Sequence, residues 1–399
     1  MLRSMLFLLF LSLSTICSSE EKSEKSPKRK TVCLNMIVKN EKDVIVRCLQ
    51  SVLPIIDTWV IVDTGSSDGT QKIIEDFMRE KNIPGKLYEQ SWVNFGHNRN
   101  QALALAKDQA DYILFMDADD YLVISEKFQA QELTADCYVT TTRNLGLDSY
   151  IPRLVKASLP WRWEGVIHEY ITADNVQGCP WEGVQYVYTH DGARSKDSDT
   201  AMRDLKLLQS DPTPRNVFYT ILTYLQMQKY EDALASCEQR IQMQGLEEEL
   251  FVAYLIKGTL EKSRTGNMKE AKKSFLTAYK LRPHRLEPLY YLGELLWQEK
   301  DYETGYELMS AIQFIPHEHS DILFVERWIY DYGVFMQYAL FAAQTGRFAE
   351  GWQATSKVLS CPSLSEEHKK DMERCKAYIK DRKLEEMQLK LQKIIATSN

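Results

Sequence analysis

The residues best suited to chemistry follow a short apolar run, since Asp117, Asp119 and Asp120 come directly after 112–116. A run that ends abruptly in acids is typical of a strand buried on both faces of a parallel sheet. In an extended chain Asp117 and Asp119 would share one face, with Ala118 turned inward. Ligands of open α/β sheets bind beyond the carboxyl ends of strands. Paired carboxylates there suit Mg²⁺ or Mn²⁺ bridging substrate phosphates, and a ligand-free acidic turn is the other interpretation of so short a motif.

Alternating strands and helices must position these acids. Strands are predicted at 32–38, 58–62, 86–88 and 112–116, and helices at 43–53, 71–81 and 97–108. This alternation predicts βαβ units and a mostly parallel, Rossmann-like sheet. Later β-branched and aromatic stretches at 136–142, 151–155 and 184–189 lack long helices between them, which predicts antiparallel strands that form the far wall of a site.

From about Met202 the sequence predicts helices that repeat. A bulky residue followed three positions later by Ala or Gly recurs at 230–233, 268–271, 302–305 and 348–351. These turns are about 38, 34 and 46 residues apart, which brackets the 34-residue tetratricopeptide period. A stack of four to five helical hairpins is predicted, with a non-repeating helical bundle as the alternative. The predicted boundaries are 31–205, 206–365 and a charged terminal helix over 366–399.

Composition and the amino terminus set further bounds. The net charge of −7 over 399 residues provides no basic field, which argues against a nucleic-acid partner. Residues 1–19 combine Arg3, a short apolar run and small residues, as in a signal peptide; an uncleaved membrane anchor is the alternative. The polar segment 20–30 is predicted to be a linker. A cleaved leader implies the secretory pathway or another extracytoplasmic location, whereas an anchor leaves open a cytoplasmic catalytic domain.

Between 31 and 205 the chain resembles the inverting family 2 glycosyltransferases of the GT-A fold. Six motifs carry the resemblance in the family's order: Met36–Glu41, Val62–Thr70, the Trp92, Phe95, Arg99 and Asn100 set, Asp117–Asp119, Gly165–Glu169, and His190 with Gly192. The chain is most similar to the subgroup in which tetratricopeptide repeats follow a compact transferase domain. The fold class this implies is an α/β GT-A domain, with a Rossmann-like nucleotide-binding half, followed by an all-α TPR-like repeat domain.

The resemblance also implies how a nucleotide-sugar donor is bound. The donor-binding residues would be Glu41, Asp63, Arg99, Asn100 and Asp117. Gly65 and Gly69 allow the loop after the second strand to turn tightly and expose the Asp63 carboxylate to a base or ribose. A capped turn is the alternative role for Asp63. Arg99 is expected to contact the diphosphate, and a surface salt bridge is its alternative.

Metal and catalytic roles follow from the same resemblance. The metal ligands would be Asp119 directly, Asp117 on the metal or the ribose, and His190, holding Mn²⁺ or Mg²⁺. An inverting transfer needs one general base, for which Glu169 is the candidate and Asp191 the competitor. Asp191 also departs from the family, in which a bulky or aromatic residue follows the histidine, and Asn94 stands where Asp is frequent.

Together these features predict an inverting, metal-dependent glycosyltransferase. Its donor is expected to be a UDP-linked sugar, and its acceptor a protein, peptide or glycan. The helical repeats are expected to bind a protein partner or mediate dimerisation, and a membrane contact is expected only through an amino-terminal anchor. The alternative is a non-catalytic adaptor whose repeats bind a partner and whose transferase half is degenerate.

Overall fold

A computed structural model describes residues 29–126, 128, 133–144, 147–315, 321 and 323–397, without the side chains of 141–144 and 147–150. The predicted leader and the linker up to residue 28 lie outside the described residues. Within these ranges, no helix combines the length and the apolar character that are needed to cross a membrane.

The first part of the chain alternates strands and helices as predicted. Its elements are β1 (Val32–Val38), α1 (Ile45–Val52), β2 (Thr58–Asp63), α2 (Thr70–Glu80), β3 (Gly85–Glu89), α3 (Phe95–Ala106) and β4 (Tyr112–Phe115). Seven further strands follow: β5 (Tyr121–Ile124), β6 (Cys137–Asn144), β7 (Leu147–Lys156), β8 (Arg162–Glu164), β9 (Tyr170–Thr172), β10 (Gly178–Pro180) and β11 (Val184–Val187).

The main sheet has the strand order β10-β6-β7-β4-β1-β2-β3. β1 pairs in parallel with both β2 and β4, and β2 pairs in parallel with β3. The antiparallel strand β7 then joins β4 to β6. Apolar side chains of β1 and β4 pack on both faces of the sheet, so these strands are buried as the sequence predicts. The loops after β1, β2 and β4 therefore share one edge, which confirms the mixed, Rossmann-like sheet.

The second part is all helical. Its elements are α4 (Thr200–Ser210), α5 (Pro214–Gln226), α6 (Tyr230–Ile241), α7 (Glu247–Leu260), α8 (Met268–Leu281), α9 (Glu287–Gln298), α10 (Tyr302–Ile312), α11 (Val334–Gln344), α12 (Phe348–Leu359) and α13 (Glu366–Thr397). The four predicted repeat turns start α6, α8, α10 and α12, the second helix of each hairpin. This confirms stacked helical hairpins, and α4 begins before residue 205, the predicted end of the first domain.

The two parts share one hydrogen-bonded sheet. β4 pairs with β7 only at Lys156, Val155 and Leu154, so β4 does not cover the start of β7. A two-residue strand from the connection between α10 and α11, β12 (Val325–Glu326), pairs there with residues 147–148. The helical region therefore contributes a strand to the main sheet, which the sequence did not predict.

Gly305 on α10 allows close packing against α11, and Gly305→Ala is expected to lower the free energy of unfolding by about 1–3 kcal/mol. A Cβ atom at this position would lie 2.2 Å from Cε1 of Phe341. That ring is 1% exposed and has no room to move aside. Urea denaturation of the full chain measures the change.

Gly351→Ala on α12 is the matched control. Its added Cβ would lie 3.1 Å from the flexible Ile379 Cδ1 and 3.3 Å from the backbone oxygen of Ala339, so a smaller loss than in Gly305→Ala is expected. Because alanine favours helix more than glycine by roughly 0.5–1 kcal/mol, this control can even be stabilised. Equal losses in both variants would contradict the packing role of Gly305.

Candidate active site

A cavity of about 530 Å³ lies at the carboxyl ends of β1 and β4. Its walls carry the acidic side chains of Glu41, Asp117 and Asp119 together with the guanidinium groups of Arg99 and Arg194. The start of α3 and residues 192–207 close its other sides. A larger cavity of about 680 Å³ opens at the amino ends of the strands, and different residues line it. The chemistry predicted from the sequence therefore belongs to the smaller cavity.

The acidic residues after β4 form a turn and not an extended segment. The strand ends at Phe115, and the backbone N–H of Asp120 donates to the carbonyl oxygen of Asp117 at 3.2 Å. Ala118 is buried as predicted. The expectation of an extended segment is wrong, although both carboxylates line the same cavity, and the turn gives them different partners. Asp119 Oδ2 accepts the backbone N–H of Gly192 at 3.2 Å, whereas Asp117 faces two arginines.

Asp117 lies between two guanidinium groups. Arg99 Nη2 is 2.6 Å from Asp117 Oδ1, and Arg153 Nη1 is 3.4 Å from Oδ2. Burial alone would raise the pKa of Asp117, but Arg99 and Arg153 hold this pKa well below its usual range. Asp117 is therefore an ionised carboxylate whose two oxygens already pair with this chain's own cations.

Arg153 is a site residue that the sequence reasoning missed. It is 5% exposed on β7, donates to the Tyr188 hydroxyl at 2.6 Å, and lies 3.8 Å from the centre of the Tyr186 ring. The available signal was a lone arginine in the strand pattern 151–155, because a buried cation requires a carboxylate partner.

Arg99 also connects the acidic turn to Glu169. Arg99 Nε is 2.5 Å from Glu169 Oε1, and the Glu169 side chain is 9% exposed. Arg99 lines the cavity, whereas Glu169, like Asp191, does not. Among the described residues, no hydrogen-bond donor reaches Glu169 Oε2. The structure thus brings the predicted base to Asp117 through one shared arginine, and it makes Arg99 a buried bridge between carboxylates, not a surface salt bridge.

Glu41 lines the cavity opposite these groups. Its Oε2 accepts the backbone N–H of Ala193 at 3.2 Å. Burial raises the pKa of Glu41 to about 7, and the Asp119 carboxylate contributes to the same shift. A carboxyl with this pKa is partly protonated at neutral pH and would ionise fully beside a bound cation.

Asp63 is buried beneath the loop that follows β2. Gly65 and Gly69 have φ values of +103° and +92°, which confirms the predicted tight loop. Asp63 Oδ1 accepts the backbone N–H groups of Gly65 and Ser66 at 2.9 and 2.8 Å, as in a capped turn. Its Oδ2 is buried and has no partner among the described residues. The expectation that the loop exposes the Asp63 carboxylate is wrong, because Asp63 is 1% exposed and does not line the cavity.

Three predicted residues are engaged elsewhere. Both Asp191 oxygens pair with Arg47 at 2.8 and 2.6 Å, outside the cavity lining, and these bonds lower the pKa of Asp191. His190 is exposed at φ +54°, and its ring stacks on Tyr188 at 6.1 Å. The Asn100 amide bonds the backbone of Trp163 in both directions at 2.8 Å. The geometry gives each of these side chains a structural partner.

The predicted metal ligands are not assembled in advance. Within the described ranges, no three His, Cys, Asp or Glu side chains are grouped so that they could hold an ion. The predicted set fails to gather because Asp117 pairs with arginines and His190 stacks on Tyr188. Asp119 and Glu41 remain on the cavity wall. Mg²⁺ sites commonly use one or two carboxylates and substrate phosphates, so these two residues fit such an ion.

Residues 33–129 match the family model described as Glycosyl transferase family 2. This segment carries β1 to β5, Glu41, Asp63 and the acidic turn, so this part of the sheet is a family 2 glycosyltransferase domain. The matched segment ends before β7 and the loop of Glu169.

A TPR repeat-containing protein of Synechococcus elongatus is 38% identical over 94 residues, which are 23% of this chain and 21% of that protein. The chain thus matches about a fifth of the length of that curated relative. The crystal structure of the APC/C hetero-tetramer Cut9-Hcn1 is similar at 12% identity and a TM-score of 0.37, over 47% of this chain and 33% of that chain. A crystal structure of MamA protein is similar at 16% identity and a TM-score of 0.31, over 40% and 79%.

Proposed function

We propose that this chain is an inverting, metal-dependent glycosyltransferase. It would move a sugar from a UDP-linked donor to a protein or peptide acceptor, with a glycan as the other acceptor class. The observation that carries the proposal is the Arg99 bridge. This arginine pairs with both Asp117 and Glu169, and it lines the cavity together with Glu41 and Asp119. Arg99, Asp117, Glu41 and Asp119 all belong to the segment that matches family 2.

The cavity has the features that a nucleoside diphosphate requires. Asp63 is buried next to the lining residue Thr64, and its unpartnered Oδ2 would accept an N–H or O–H group of a base or ribose only after the loop that follows β2 moves. Lys39 brings positive charge to the cavity wall, which favours phosphate oxygens. Arg194 and Arg203 also line the cavity, but each pairs with an aspartate of the same wall, Asp204 and Asp197. The Arg99 guanidinium already pairs with two carboxylates, so its role here is to hold those carboxylates in place.

Asp119, with Glu41 beside it, would hold Mn²⁺ or Mg²⁺. When bound, such an ion screens the diphosphate and stabilises the charge on the departing nucleoside diphosphate. Each of these carboxylates is oriented by one backbone N–H group, that of Gly192 for Asp119 and that of Ala193 for Glu41. Neither is paired with an arginine or lysine of the described part of the chain, so both would be available to a metal ion.

Glu169 would act as the general base. An acceptor oxygen attacks the anomeric carbon and forms the new glycosidic bond as its proton passes to Glu169 Oε2. The bond from the anomeric carbon to the diphosphate oxygen breaks, and the nucleoside diphosphate leaves with that electron pair. Arg99 fixes the other oxygen of Glu169, so the proton-accepting atom has a defined direction.

Calorimetry on the full chain tests the donor site with UDP, GDP and their sugar conjugates, with and without Mn²⁺. The expected result is Mn²⁺-dependent binding of one nucleotide class that is weakened at least ~10-fold, about 1.4 kcal/mol, in Asp119→Ala. Asp174→Ala, an exposed aspartate near Arg162, is the matched control and should bind normally. Unchanged binding in Asp119→Ala would overturn the metal role.

A non-catalytic adaptor is the second candidate. The observation that favours it is an apolar cavity of about 330 Å³ lined mainly by α5 and α7, with Tyr291, Phe324 and Trp328. An adaptor predicts no nucleotide binding by the folded chain in the same calorimetry. For either candidate, we propose that the helical hairpins bind a protein partner or dimerise. We also propose a secretory or extracytoplasmic location through residues 1–19, with a membrane-anchored cytoplasmic form as the alternative.

A further inference from the structure

The loop that carries Glu169 is held by the helical region. On α5, the Tyr219 ring stacks on the His168 ring, with centroids 4.3 Å apart and planes inclined by 15°. One turn earlier, Arg215 Nη2 donates to the carbonyl oxygen of His168 at 3.0 Å. Helix α5 therefore contacts both the ring and the backbone carbonyl of His168, the residue that directly precedes the proposed base.

These contacts act on the peptide group that leads into Glu169. The His168 carbonyl and the Glu169 N–H belong to one planar unit, so holding the oxygen fixes the direction in which Glu169 leaves the chain. His168 has φ +51°, a conformation that non-glycine residues adopt only when their surroundings hold them there. The loop conformation thus depends on contacts that the loop does not supply itself.

Arg215 is in turn anchored within the helical hairpins. Its Nη1 lies 3.5 Å from Oε1 of Glu249 on α7, and Arg240 of α6 holds the other oxygen of Glu249 at 3.0 Å. Arg240 and Glu249 are buried, so this ion pair provides a rigid anchor for the Arg215 side chain. The guanidinium group also lies 4.4 Å from the centre of the Tyr170 ring, on the other side of Glu169 in sequence.

The His168 ring itself has a packing role. Burial, with the positive charges of Arg194 and Arg215, lowers the pKa of His168 to about 4. The imidazole is therefore neutral near pH 7 and stacks on Tyr219 without carrying a charge.

We infer that Arg215 and Tyr219 are positioning residues for Glu169, so that the first helical hairpin completes the active site of the transferase domain. The inference rests on the proposed function in one respect, the role of Glu169 as base. Its structural part, the holding of residues 165–170 by α5, stands independently of that role.

The test compares Arg215→Met and Tyr219→Leu with the unmodified full chain. Nucleoside diphosphate release is measured with UDP-glucose, UDP-galactose, UDP-N-acetylglucosamine and GDP-mannose, with water as acceptor, together with UDP affinity and amide hydrogen exchange of residues 165–170. Turnover is expected to fall by about 10²-fold, since displacement of a catalytic group by ~1 Å has costs of this size. UDP affinity should remain unchanged, and exchange of the loop should accelerate.

Two further variants separate positioning from general stability. Tyr219→Phe keeps the stacked ring and should restore most of the turnover that Tyr219→Leu loses. Arg347→Met removes a similar arginine, which lies 4.0 Å from the Tyr306 ring and pairs with Glu303, in a distant hairpin. This control should change neither turnover nor exchange of residues 165–170.

The outcomes distinguish the two proposals. Unchanged loop exchange in both Arg215→Met and Tyr219→Leu, or an equal effect of Arg347→Met, overturns the positioning inference. If no donor is turned over by the unmodified chain while α5 variants still loosen the loop, the proposed function fails and the structural coupling stands. A fall in UDP affinity equal to the fall in turnover would also overturn the inference, because it would place the defect in donor binding.

Discussion

Glu169→Gln is expected to reduce the turnover number by ~10²–10⁴-fold, the usual contribution of a general base. The amide keeps the size of the side chain and can still accept a hydrogen bond from Arg99, but it cannot take the acceptor proton. Affinity for UDP should stay unchanged, because the carboxylates that face the nucleotide are untouched. Steady-state turnover and calorimetry on the same preparation measure the two quantities.

Glu164→Gln is the matched control, since Glu164 is an exposed carboxylate that pairs with Arg162, and its amide would still accept the Tyr170 hydroxyl. Its turnover should equal that of the unmodified chain. Asp191→Asn tests the competitor. A large loss in Asp191→Asn with normal turnover in Glu169→Gln would transfer the base role to Asp191, despite its pairing with Arg47 outside the cavity lining.

Arg99→Met is expected to lower the free energy of unfolding by about 3–5 kcal/mol, because it removes the ion-pair partner of the buried Glu169 carboxylate, which Arg99 shares with the half-buried Asp117. Glu169 would lose its Arg99 ion pair, and Asp117 would keep the longer contacts of its Oδ2 with Arg153 and with the Tyr186 hydroxyl. Urea denaturation at pH 7 measures the change. Arg162→Met, which breaks an exposed ion pair, is the control and should leave stability unchanged.

The pH dependence of this effect has a definite sign. Asp117 has a lowered pKa in the folded chain, so it stabilises the fold above the unfolded pKa of about 4 and loses that contribution as the pH falls below it. The stability difference between the unmodified chain and Arg99→Met should therefore shrink on acidification. A difference that stays constant from neutral to strongly acidic pH would contradict an ionic origin.

Several features could be predicted from the sequence because they depend on local patterns. Apolar runs at 32–38 and 112–116 determine buried parallel strands, and parallel strands place their following loops at one edge. The sequence alone therefore predicts that Glu41 and Asp119, which follow two of these strands, lie close together. The bulky-to-small spacing that starts at Tyr230 likewise determined the helical hairpins, because close helix packing needs a small residue there.

Only the tertiary structure decided how the charges pair. Asp117 and Arg153 are separated by 36 residues and meet because β4 and β7 are neighbours, and no local pattern encodes that choice. Ion pairs with neighbouring side chains then engaged Asp117, Asp191 and Arg99, so these residues are not free for the roles that their types alone would allow. The contacts of α5 with the loop that carries Glu169 likewise join segments that are distant in sequence, so no local pattern encodes them. Sequence motifs specify which side chains are capable of a reaction, whereas packing between distant segments decides which of them are free to perform it.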